Sequence, residues 1–296
     1  MPWIQVKVTI HPDQVSNIED LLLEFGACAV TMEDAEDQPV FEPERGTTPL
    51  WNHTVLTGLF DAEADMQVII PAIESKYLAL SGNPLPPHKV EILEDKDWER
   101  EWMENFHPMK FGERLWICPS WREPPEPDGI NLMLDPGLAF GTGTHPTTSL
   151  CLAWLDGQDL TDKVVVDYGC GSGILGIAAL LLGAKRVIGV DNDPQALEAS
   201  KENTRRNSIA EERFELYLPD DAPKVEADVM LANILAQPLI MLSSNIASMT
   251  KQDGLIALSG ILEQQANDVN ECYKAWFDME APTQKDEWMR LNGRKR

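Results

Sequence analysis

Cysteine is sparse and shows no pairing pattern. Cys28, Cys118, Cys151, Cys170 and Cys272 are scattered, with no C-x-x-C among them. That distribution argues against a disulfide framework and offers no zinc ligand pair, so a reducing compartment and no metal site are expected. Long apolar runs are also missing. The longest, Ile174 to Leu182, falls far short of the roughly 20 residues that a bilayer-spanning helix needs. The opening Met1-Pro-Trp-Ile-Gln-Val-Lys-Val-Thr-Ile alternates like a strand and lacks the basic start and apolar run of a secretory signal. A soluble, cytoplasmic protein is the expectation. Basic residues are few, 24 against 49 acidic ones, for a formal net charge of −25. A charge of that sign repels polyphosphates and opposes direct nucleic-acid binding. It would instead steer a basic protein partner inward.

At 296 residues and 43% hydrophobic content the chain can bury two ordinary cores. The first is expected over residues 1–95. Trp3 to Ile10 reads as a strand, and Pro12 to Phe25 carries Val15, Ile18, Leu21, Leu22 and Phe25 at helical spacing before Gly26. A strand at Ala27 to Met32 and an acidic loop at Glu33 to Pro49 follow. The pattern then repeats as strand Thr54 to Phe60, helix Ala64 to Leu80 and strand Lys89 to Leu93. The order β-α-β-β-α-β predicts a ferredoxin-like sandwich. Fourteen acidic against four basic residues up to position 90 leave no basic sheet face for reading RNA. Protein docking suits this segment better.

Residues 96–128 read as a connecting segment. Trp98, Trp102 and Phe106 share one face of a short amphipathic helix, Asp97 to Phe106. A strand at Arg114 to Cys118 and a proline-rich turn segment at Pro119 to Asp128 follow. From 129 to 296 strands and helices alternate. Strands are expected at Ile130 to Leu134, Val164 to Val166, Arg186 to Val190, Phe214 to Tyr217, Val229 to Leu231 and Leu255 to Ser259. Helices are expected at Thr147 to Leu155, Ile174 to Leu182, Pro194 to Asn207 and Pro238 to Met249. This alternation implies a parallel sheet covered on both faces, with ligands beyond the carboxyl ends of its strands.

The chemistry concentrates at those ends. Val164-Val165-Val166-Asp167-Tyr168-Gly169-Cys170-Gly171-Ser172-Gly173 is a buried strand breaking into a glycine turn and then a helix. Gly169 and Gly171 allow close ligand approach, and Cys170 is read as a packing residue. Gly171-Ser-Gly173-Ile-Leu-Gly176 also satisfies the dinucleotide pattern, with Asp191 at about the expected distance. A nicotinamide-dependent oxidoreductase is therefore one reading. Asp167, however, would oppose a pyrophosphate and suit a cationic ligand without phosphate, which S-adenosylmethionine is. Asp191 suits the ribose hydroxyls, and Asp193-Pro194 caps the next helix.

Asn233-Ile234-Leu235-Ala236 follows the strand ending at Leu231 and points an amide into the same crevice. Methyltransferases of planar nitrogens place an aromatic at its fourth position. Ala236 offers no stacking platform, which favours an aliphatic amine and leaves space for repeated methylation. The loop Asp135-Pro-Gly-Leu-Ala-Phe-Gly-Thr-Gly-Thr-His-Pro-Thr-Thr148 lacks the lysine of a phosphate-binding loop. It is expected to close over a cofactor, with Phe140 excluding water. No dedicated general base is evident; Asp135 and His145 are the candidates.

Taken in order, these elements resemble the PrmA family, methyltransferases of the large-subunit stalk-base ribosomal protein eleven. The resemblance runs over nearly the whole chain. It rests most on Phe106-His-Pro-Met-Lys-Phe-Gly-Glu-Arg-Leu-Trp and on Phe-Gly-Thr-Gly-Thr-His-Pro-Thr-Thr. It implies a Rossmann-like methyltransferase domain behind a small ferredoxin-like α+β domain that recognises the substrate. It implies S-adenosylmethionine contacted by Thr148, Gly169, Asp191 and Asn233. The implied products are trimethylated lysine side chains and a trimethylated N-terminal amine. A non-catalytic ribosome-assembly factor built on the same fold is the remaining alternative.

Overall fold

The computed structural model describes residues 2–36, 38, 40, 49–94, 106–135 and 143–296. The expected helix over 97–106, apart from Phe106, and the loop position Phe140 lie outside the described residues. The chain divides into two compact units, Met1–Met103 and Glu104–Arg296.

In the first unit, β1 (Trp3–Ile10), α1 (Val15–Glu24), β2 (Ala29–Asp34), β3 (Thr54–Asp61), α2 (Met66–Ser81) and β4 (His88–Leu93) follow the ferredoxin-like order. The sheet runs β2-β3-β1-β4, antiparallel throughout. Val6, Val8, Leu56 and Phe60 face Ile18, Leu21 and Leu22 of α1 to form its core. Gly58 lets that helix settle close, since a Cβ there would lie 3.2 Å from Leu22 Cδ2. Asp65 caps α2 by accepting from the Gln67 N–H, and Gly82 ends the helix in the left-handed region.

The second unit opens with β5 (Met109–Phe111), β6 (Leu115–Cys118) and β7 (Ile130–Met133), a small three-stranded sheet. Residues 109–118, expected within a connecting segment, therefore pair with β7 inside this unit. After α3 (Pro146–Asp156) the main sheet begins. It comprises β8 (Val164–Tyr168), β9 (Arg186–Val190), β10 (Phe214–Tyr217), β11 (Ala227–Asn233), β12 (Thr250–Leu262), β13 (Phe277–Met279), β14 (Thr283–Lys285) and β15 (Trp288–Lys295). Its helices are α4 (Ile174–Leu181), α5 (Pro194–Arg206), α6 (Ala236–Met241), α7 (Ser243–Ser248) and α8 (Ala266–Tyr273).

The strand order is β10-β9-β8-β11-β12-β15-β13, with β14 on β15. The five strands from β10 to β12 are parallel, and apolar clusters cover both faces. β15 enters antiparallel between β12 and β13. A dinucleotide-binding sheet ordered 3-2-1-4-5-6 has no such inserted strand. The order in which strands are added reverses between β8 and β11, and the crevice opens at the carboxyl ends there. The helix expected over Pro238 to Met249 is broken at Leu242 into α6 and α7. Ser243 and Ser244, weak formers of helix interiors, follow the break.

Candidate active site

At the end of β8 the chain turns through three glycines with positive φ, Gly169 at 77°, Gly171 at 54° and Gly173 at 78°. The Gly169 N–H donates to the Val190 carbonyl at 2.7 Å, tying the turn to the end of β9. A Cβ at Gly169 would fall 2.1 Å from Ile234 Cγ2, and one at Gly173 would fall 2.8 Å from Ser200 Oγ. Backbone, not side chain, must therefore form this surface. Two residues that sequence reasoning missed hold the turn from α5. Ser200 Oγ donates to the Gly171 carbonyl at 2.8 Å, and Asn203 Nδ2 donates to the Ser172 carbonyl at 2.9 Å. Their signal was a polar pair three residues apart, hence on one face of α5. Burial pushes the Cys170 thiol up, so it stays protonated and packs.

A cavity of about 630 Å3 opens over this turn, within the size range of small-molecule sites. Gly169, Gly171, Asp191 and Asn233 line it. The Asp191 carboxylate accepts from the Gly171 N–H at 2.9 Å and from the Asp193 N–H at 3.0 Å. A carboxylate has about four acceptor positions, so two remain for the hydroxyls of a ribose. Asn233 Nδ2 donates to Thr148 Oγ1 at 3.4 Å. Asn233 Oδ1 is buried and has no hydrogen-bond partner.

The structure does not bring Thr148 or Asp167 to the cavity surface, for both are buried and absent from its walls. Thr148 acts from behind, on the Asn233 amide. Asp167 accepts from the Gly176 N–H at 2.9 Å, so it braces the first turn of α4, and its other oxygen has no partner. Burial raises its pKa to about 7, with Asp191 adding to the rise and the Gly176 bond opposing it. A folded-state pKa raised above the ordinary 3.8 favours the protonated form, so this group's contribution to stability declines as pH climbs from 3.8 to about 7. Asp167→Asn should remove that slope. Melting curves of the ligand-free protein at about pH 5 and about pH 8 should show the variant gaining on the parent at the higher pH. An equal difference at both would contradict the assignment.

Two further expectations need correction. Ala236 does not leave room in the cavity: it is only 2% exposed and packs into the core beneath α6. The cavity does have an aromatic wall, Trp288 at the start of β15, together with Tyr168. The Trp288 ring meets His145 edge-on, with centroids 4.9 Å apart. His145 caps α3 by accepting from the Thr147 N–H, and burial lowers its pKa, leaving a neutral ring. Asp135 is held away from the chemistry. It accepts from Ser120 N–H and Oγ at 2.7 and 2.8 Å and pairs with Arg206.

No lysine or arginine among the described residues lines the cavity. A pyrophosphate would meet Asp191 there with no cation to offset the repulsion, whereas a cationic nucleoside without phosphate meets no such cost. With the glycine cradle and the inserted antiparallel strand, this chemistry defines a Rossmann-like S-adenosylmethionine-dependent methyltransferase. The family model described as ribosomal protein L11 methyltransferase (PrmA) matches residues 2–296, and the chain belongs to that family.

Two relatives named ribosomal protein L11 methyltransferase, from Marinobacter nauticus and Pseudomonas fluorescens SBW25, are each 57% identical over 296 residues. The alignments cover 100% of this chain and 99% and 100% of theirs. The solved structure of a ribosomal protein L11 methylase from Lactobacillus delbrueckii subsp. bulgaricus is similar with a TM-score of 0.59 and 32% identity. That similarity covers 64% of this chain and 100% of the other.

The cofactor supplies an activated methyl group on a sulfonium. Asp191 would hold its ribose and the Gly169–Gly171 backbone its near side. Asp191→Ala should weaken S-adenosylmethionine binding on the order of 100-fold, from two charge-assisted hydrogen bonds at roughly 1.5 kcal/mol each. Titration calorimetry reads this directly, and an unchanged Kd would remove the ribose role.

Proposed function

We propose that the enzyme methylates aliphatic amines of a basic protein, the large-subunit stalk-base ribosomal protein L11 for which its relatives are named. The acceptors would be lysine side chains and the N-terminal amine, each carried to the trimethylated form. The observation that carries this reading is Asn233 on the cavity wall, whose buried Oδ1 has no hydrogen-bond partner within the protein. In the first two transfers a neutral amine N–H can donate to that oxygen, which fixes the direction of the nitrogen lone pair. The dimethylated nitrogen has no N–H left and would be oriented for the third by the cavity walls alone. Burial among Trp288, Leu235 and Pro238 disfavours the ammonium, lowering the amine pKa toward the form that attacks. Because the leaving group is already activated, orientation and exclusion of water suffice, and no side chain need act as base.

In this reading residues 1–95 recognise the substrate, residues 96–128 connect and residues 129–296 carry the chemistry. The net charge of −25 suits a basic protein partner and opposes direct nucleic-acid binding. No helix among the described residues is long and apolar enough to cross a membrane, and the site of action proposed is the cytoplasm. The test is incubation with methyl-labelled donor and purified ribosomal protein L11, followed by peptide mapping. Label on lysine or the N-terminal amine is expected; label confined to other side chains would overturn the amine assignment.

A further inference from the structure

The two lips of the cavity differ in chemistry. On one side stands α6, in which Gln237 is the one polar residue. Ala236 and Leu239 are buried against the core, while Leu235, Pro238 and the following Leu242 line the cavity. Met241 lies three residues beyond Pro238, on the same side of the helix. It is 78% exposed, and Leu235 is 50% exposed. Large apolar side chains on a helix normally face the core, yet this one carries an apolar ridge from the cavity wall out to solvent. The opposite lip is Leu218-Pro219-Asp220-Asp221, where Pro219 lines the cavity and both carboxylates are exposed.

We propose that this ridge and the acidic lip form the groove for the polypeptide segment that presents the acceptor amine. The segment is extended, has a large apolar side chain beside the target amine, and has basic or neutral neighbours. The proposal rests on the amine-transfer reading above. Three observations select this occupant. The ridge is continuous with the site, because Leu235 is two residues from Asn233. The facing Asp220 and Asp221, on a chain of net charge −25, repel an acidic segment and attract a basic one. The scale also fits a few residues of chain, since two exposed side chains fall well short of the about 800 Å2 per partner that a stable dimer buries.

The test is steady-state kinetics of the full chain on purified ribosomal protein L11 with Met241→Gln, Met241→Lys and Met241→Leu. For Met241→Gln, KM for the protein substrate should rise about 5-fold, from losing roughly half of one methionine side chain's burial. kcat and the S-adenosylmethionine Kd should stay at parental values. Met241→Lys should raise KM further, most at low salt, and Met241→Leu should match the parent. Unchanged KM in both polar variants would overturn the groove while leaving amine transfer intact. So would an altered cofactor Kd, which would make the ridge part of the cofactor site. So would a change of oligomeric state in Met241→Gln, which would make a second copy the occupant. A parent that transfers no methyl to the protein's amines would instead overturn the reading on which the groove rests.

Discussion

Asn233→Ala is expected to lower kcat on the order of 100-fold, the scale that misplacing a reacting group costs, while S-adenosylmethionine affinity changes far less. The asymmetry follows from the hydrogen bonds. Oδ1 has no partner inside the protein, so its removal leaves no buried donor unsatisfied. The Nδ2 bond to Thr148 is long at 3.4 Å, so the fold loses little. What disappears, on the proposed reading, is the acceptor for the incoming nitrogen. Asn233→Asp keeps an oxygen in place and should retain more turnover than the alanine variant. Single-turnover rates with calorimetry of the cofactor separate the two effects. Unchanged turnover in Asn233→Ala would remove the orienting role.

Gly169→Ala is expected to cost about 2–5 kcal/mol of stability and to abolish cofactor binding. Left-handed backbone in a non-glycine residue costs roughly 1–2 kcal/mol, and overpacking adds about 1–3 kcal/mol. The new methyl would sit 2.1 Å from Ile234 Cγ2. Ile234 cannot retreat freely, because its carbonyl lies only 2.3 Å from where a Cβ of Gly260 would be. It is held between two glycines, and moving it moves the Asn233 turn. Gly82→Ala is the control: the same left-handed backbone, with nothing within 4 Å of the added Cβ. That variant should show a backbone penalty of about 1 kcal/mol alone and bind cofactor normally. Equal losses in the two variants, measured by denaturant unfolding, would contradict the packing argument.

The parts of the site legible in the sequence are those built locally. Asp191, Asn233 and the glycine turn each follow directly on a strand, and a parallel sheet brings strand ends together at one edge. Trp288 was hidden because its strand crosses from the far end of the chain. Trp288–Lys295 mixes Arg290, a buried Asn292 and Gly293 with its apolar residues, so it lacks the β-branched signature of the parallel strands. Ala236 was misread for a related reason: its order after Asn233 was clear, but its facing was not. The start of α6 directs Leu235 to the cavity and Ala236 to the core. Asp167 was given its direction from charge alone, whereas the N–H of Gly176 and deep burial decide it.

The most direct test of the central claim is an intact-mass spectrum of purified ribosomal protein L11 before and after incubation with this enzyme and S-adenosylmethionine. Transfer to amines carried to completion predicts a mass gain in steps of one methyl that accumulates in multiples of three, with the Asn233→Ala enzyme lagging far behind. A substrate whose mass does not change, under conditions where calorimetry shows the cofactor bound, would contradict the account.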